Sequence, residues 1–178
     1  MNRPLSLAAA VALTLALAAC EEAPQSRLVD MRVPGTLGFA QFATTTGPMY
    51  VETNGTPFAG GIALDGAAFA RQIAGAFAVP TLRFTTDKAA APQSDHRLVW
   101  VFDPPEAFKL ESLCAGPVAG GVVRKADIVQ VTAAFCHEAK LYAVARGSVR
   151  RPRSADDQAW QQLVQQIARH LISERAAN

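Results

Sequence analysis

A thiol, an imidazole and a carboxylate stand side by side at Cys136-His137-Glu138. Those groups could make a nucleophile with its base and orienting acid, or a metal site. Their spacing argues against both. The residues read as the end of a strand entering a turn, and neighbours on a strand point to opposite faces, so Cys136 and His137 would not converge on one ligand. His96 and His170 have no second histidine two or four positions away and read as edge or surface residues. The chain has no CxxC, no GxSxG, no P-loop and no dinucleotide fingerprint among its glycines. Of its carboxylates, Asp156-Asp157 suit the positive end of a helix, Asp65 suits the cap of another, and Glu21-Glu22 lie in polar, solvated sequence. No catalytic residue, metal ligand set or cofactor is therefore named from the sequence. The enzymatic alternative would use Cys136 with His137 and Glu138, or Cys114 as a thiol.

The densest basic run is Arg150, Arg151 and Arg153, around Pro152. A guanidinium can donate two parallel hydrogen bonds to a phosphate, so one reading is contact with anionic lipid or with a partner, and the other is a solvated linker. The charge as a whole is balanced. The chain has 178 residues, 17 Lys plus Arg against 15 Asp plus Glu, and a net charge of +2. Half the residues are hydrophobic and 18% are charged, which argues against disorder and against an electrostatically driven nucleic-acid binder. The length suits one domain with a sizeable core.

The apolar residues are unevenly spread. Leu5 to Ala19 contains only Ser6 and Thr14 as polar members and follows Arg3. A positive start before a short apolar run has the form of a secretory signal peptide. Fifteen residues of helix span about 22 Å, short of the roughly 30 Å hydrocarbon core. The run closes on Leu17-Ala18-Ala19-Cys20, which resembles the lipobox of bacterial lipoproteins. That resemblance implies removal of residues 1–19 and lipidation of Cys20. It places the protein at the bacterial outer membrane facing the periplasm, since Glu21 rather than Asp follows the cysteine, with the inner membrane as the alternative. Residues 20–27 then form a lipidated tether, and 28–178 a single periplasmic domain. With Cys20 acylated, Cys114 and Cys136 remain as an even pair in an oxidising compartment, and the expectation is one disulfide between them.

Positioning elements are legible along this domain. Leu28–Val33, Phe39–Thr45 and Met49–Thr53 read as strands, and Asn54-Gly55 as a hairpin turn returning through Thr56–Ala59. Asp65 caps a helix carrying Phe69, Ile73 and Phe77 on one side and ending before Pro80. Thr81–Thr86, His96–Phe102, Gly121–Lys125, 127–136 and Lys140–Val149 read as strands, with His137-Glu138-Ala139 as the turn between the last two. Ser154 caps a final helix whose stripe is Trp160, Leu163, Val164, Ile167 and Leu171. The expected fold is α+β, a two-layer sandwich of a mostly antiparallel sheet with two helices on one face. That layout is similar to small periplasmic lipoproteins of unknown function and, more distantly, to auxiliary lipoproteins of envelope transport. The expected function is a membrane-anchored binding or structural accessory module, non-catalytic, with an envelope protein as a possible partner and no nucleic acid. The alternative is a transport-associated lipid-binding lipoprotein.

Overall fold

Alternating apolar residues in the longest strands bury one set of side chains under helices and the other under a loop. In the computed structural model, residues 23–78, 81–106, 108–116, 118 and 127–174 are described. The signal-like run, Cys20 and the expected strand Gly121–Lys125 lie outside them. The strands are β1 (Gln25–Met31), β2 (Met49–Asn54), β3 (Phe84–Thr85), β4 (His96–Phe102), β5 (Ile128–His137) and β6 (Lys140–Arg150). They form one mixed sheet in the order β1-β6-β5-β4-β2-β3. The pairs β1–β6, β6–β5 and β5–β4 are antiparallel, while β4–β2 and β2–β3 are parallel. The helices are α1 (Thr36–Ala43), α2 (Gly66–Ala74), α3 (Ser112–Ala115) and α4 (Gln158–Leu171). The fold is α+β, with α2 and α4 on one face as expected and α1 beside them.

The main core lies between the sheet and these three helices. Leu98, Trp100 and Phe102 of β4 and Val131, Ala133 and Phe135 of β5 meet Phe69 and Ile73 of α2 and the whole expected stripe of α4. Trp100 and Trp160 are completely buried. α4 sits so close to β6 that a Cβ at Gly147 would lie 2.6 Å from Leu163 Cδ1 and 2.7 Å from the Gln25 carbonyl, so glycine is required there. A smaller core on the opposite face joins Val99, Val101, Ala134 and Val144 to Leu113 and Cys114 of α3.

Local chemistry explains most element ends. The Asp65 side chain accepts from the amides of Ala67 and Ala68. The last helix is capped by Asp157, which accepts from the Trp160 amide, rather than by Ser154, whose hydroxyl accepts from the Asp156 amide. α2 stops at Ala74, earlier than the proline rule suggests, and Pro80 is outside the described residues. β5 and β6 are joined by Glu138-Ala139 alone, with Glu138 at a positive φ of 52°. This tight two-residue connection matches the hairpin's twist.

Four expectations are corrected. The segment read as a strand over Phe39–Thr45 is helix α1, which buries Ala40 and Ala43. Its first turn is closed from a distance, with the Leu37 amide donating to the Ser173 carbonyl and the Ser173 amide to Thr36 Oγ1. No hairpin follows Asn54-Gly55, because β2 pairs in parallel with β3 and β4 and the chain after it turns toward α2. The Thr81–Thr86 strand shrinks to Phe84–Thr85. β1, in turn, begins at Gln25, inside the segment expected to be tether.

Cys114 and Cys136 are joined in a disulfide, 22 positions apart in sequence, with Cα atoms 5.6 Å apart. It ties α3 to the sheet. Closing a loop of that size restricts the unfolded chain and contributes roughly 3 kcal/mol. Replacing both cysteines by alanine is expected to lower the unfolding free energy by about that amount in urea titrations, and reductant is expected to shift the wild type but not the variant.

Candidate functional site

The pleat of β5 separates the three groups that stand together in sequence. Cys136 points into the smaller core and is held in the disulfide. His137 points the other way. Glu138 is exposed in the turn, where its carbonyl accepts from Arg97 Nη1 at 2.9 Å and its amide donates to the Asp95 carbonyl at 2.8 Å. Cys114, the other candidate thiol, is also consumed by the disulfide. No group of three or more His, Cys, Asp or Glu side chains among the described residues could hold a metal ion.

His137 instead belongs to an aromatic cluster that sequence reading does not reveal. It lies opposite His96 in the β4–β5 register, and the two imidazoles stack with centroids 4.1 Å apart and planes inclined by 19°. Tyr142 Oη is 3.2 Å from His137 Nδ1. Phe39 meets Tyr142 edge-on at 5.1 Å, and Phe42 meets His96 edge-on at 5.9 Å. Both phenylalanines come from α1. Phe42 is 58% exposed, one of the few large apolar side chains left in water. These rings, with Gly35 and Gly38, border a depression of about 480 Å³. A Cβ at either glycine would meet nothing within 4 Å, so their lack of side chains keeps the wall low.

Burial holds the His96 imidazole below its ordinary pKa, the neighbouring His137 acts in the same direction, and Asp95 opposes them. The residue is only 7% exposed. These surroundings favour the neutral form of the His96 imidazole, which has one donor and one acceptor nitrogen.

The basic run is divided. Arg151, expected at a lipid or partner surface, is buried: its guanidinium pairs with Asp103 at 2.8 Å, with side chains 4% and 5% exposed. It also donates to the Ile128 carbonyl at 2.7 Å, while the second Asp103 oxygen accepts from the Gln130 amide at 3.0 Å. A guanidinium desolvated this way serves the fold and is withdrawn from the surface. Arg150 and Arg153 are exposed and border a recess that also contains Asp156 and Asp157, so the charge there is mixed. His170 is on α4, with its Nε2 3.2 Å from Ser26 Oγ of β1.

No family model matches the chain, and no curated protein matches it. Among solved structures it is similar to the PelC dodecamer from Paraburkholderia phytofirmans and to a point variant of that protein. Each match has 11% identity and a TM-score of 0.43, and covers 84% of this chain and 99% or 98% of the other.

Two outcomes are expected. Arg151→Met leaves Asp103 charged and unpaired and is expected to cost about 3–5 kcal/mol, with much of the loss recovered when Asp103→Leu is added; urea unfolding of both variants checks this. For His96, the folded value lies below the ordinary 6.5. Below pH 6.5 the unfolded chain therefore binds the extra proton first, and stability falls as pH drops toward the folded value. Urea midpoints at pH 7.5 and 5.5 are expected to differ less in His96→Phe than in the wild type.

Proposed function

We propose that this protein is a lipid-anchored module of the bacterial cell envelope, which binds an apolar or aromatic group of a ligand or envelope partner in the depression between α1 and the β4–β5 edge. The observation that carries the binding reading is the open aromatic wall: Phe42 stands 58% exposed beside the stacked His96–His137 pair. Mostly apolar concavities with a few polar groups are the usual form of small-ligand sites. Here the polar groups are two imidazoles and the Tyr142 hydroxyl, which can orient a ligand through hydrogen bonds.

The anchor reading rests on Leu17-Ala18-Ala19-Cys20, and Glu21 favours the outer membrane facing the periplasm. Pairing of the two remaining cysteines supports an oxidising compartment, because such bonds persist outside the cytosol. The bond also leaves the enzymatic alternative without a resting thiol at Cys114 or Cys136. The transport-associated lipid-binding alternative calls for an apolar cavity between helices and sheet. There, Phe69, Trp100 and Trp160 are fully buried against one another, so the aromatic depression is the better candidate.

Two measurements test this proposal. Cys20→Ser is expected to abolish palmitate incorporation and remove the protein from the acyl-labelled membrane fraction; unchanged labelling overturns the anchor. For the site, the neutral fluorophore N-phenyl-1-naphthylamine is expected to bind the wild type, with a several-fold loss of enhancement in Phe42→Asp. Equal enhancement in the two proteins rejects the depression as the binding surface.

A further inference from the structure

The other face of the sheet carries an unusual pairing. Arg27 of β1 and Arg146 of β6 are directly opposite in the antiparallel register, and Thr132 of β5 continues the same row. Like charges placed opposite each other on a sheet destabilise it unless something lies between them. Neither guanidinium forms an ion pair with a carboxylate among the described residues. Arg146 Nε is buried and meets no acceptor among the described residues. Leaving such a donor without a partner is costly.

The two arginines line a cleft of about 450 Å³ with Ser148 and Thr132, whose hydroxyls add neutral donors. Phe108 supplies an apolar wall, and Glu106 also borders the cleft. The cleft is thus larger than a bare anion requires, and it is basic on one side and apolar on another. Its position adds a second argument, which rests on the lipid-anchor reading given above. β1 begins at Gln25, which itself borders the cleft, five residues after Cys20. Five extended residues reach at most about 17 Å. An acyl chain on Cys20 would therefore hold this cleft within reach of the head-group layer.

We propose that Arg27 and Arg146 form a phosphate site that receives the head group of an anionic phospholipid from the anchoring membrane. The guanidiniums take the phosphate oxygens through their terminal nitrogens, and Phe108 covers the glycerol carbons. Occupancy by the phosphate removes the Arg27–Arg146 repulsion. The lipid then does more than tether the domain, because it orients the sheet face bearing Arg27 toward the bilayer and turns the face with α1, α2 and α4 away.

The test uses the mature lipidated protein in a non-ionic detergent, titrated with dihexanoyl phosphatidylglycerol, dihexanoyl phosphatidylcholine or inorganic phosphate, and read by Tm. Phosphatidylglycerol is expected to raise Tm with saturation, more strongly than the other two. Arg27→Gln and Arg146→Gln are each expected to weaken its apparent affinity about fivefold, in line with the contribution of one arginine near an anionic surface. Without ligand and at low salt, each variant is expected to match or exceed the wild-type Tm, because the opposed charges are relieved; this separates loss of the site from loss of the fold. Equal response to inorganic phosphate overturns the lipid assignment, and no response to any phosphate, or no effect of either substitution, overturns the site. Palmitate labelling of the same preparations reports the anchor independently, so an intact anchor with a silent cleft rejects this inference alone.

Discussion

Strand β5 is paired along its length with β4 on one side and β6 on the other, and its pleat divides the molecule. Val131, Ala133, Phe135 and His137 are sent toward the helices. Gln130, Thr132, Ala134 and Cys136 are sent toward the loop that crosses the opposite face. Because register cannot slip by one residue without exchanging these two sets, the main core, the disulfide, the aromatic depression and the arginine cleft all depend on this single alignment. A slip would send Cys136 to the helix face and Phe135 to the other.

The second face has less apolar surface, and covalent and ionic ties compensate. The connection leaving β4 is held at its start by Asp103, paired with Arg151, and further along by Cys114, bonded to Cys136. Arg151 lies just beyond β6, so the same guanidinium closes the strand's end and the start of the loop. Such a pair is weak evidence for net stability, since desolvation offsets much of its attraction, but removing one partner strands the other in the interior. Its effect here is to specify where the loop attaches, which in turn sets the wall that Phe108 contributes to the cleft.

Much of the architecture was legible one element at a time. Periodicity located α2 and α4 with their buried stripes, and alternation located β4, β5 and β6, because each of these elements buries one continuous side and its pattern is local. The β5–β6 turn was legible from the break at His137-Glu138-Ala139. α1 was not: Phe39 to Thr45 is rich in residues that favour strands, and the groups closing the helix's first turn belong to Ser173, far along the chain. The parallel placement of β2 was hidden for a related reason, since Asn54-Gly55 is a strong local turn signal but the partner of β2 is chosen by the sheet.

For the candidate sites the division is sharper. By itself the sequence determined that Cys136 and His137 part company, because strand geometry makes adjacent side chains diverge whatever the fold, and it determined which faces of the two long helices are apolar. Only the tertiary structure decided that His137 stacks on His96 beneath Phe42, that Arg27 opposes Arg146, and that Arg151 is withdrawn from the basic run into a buried ion pair. Each of those juxtapositions joins residues 41 to 119 positions apart. Cross-strand register and loop closure bring them together, and neither property is carried by the spacing of residues along the chain.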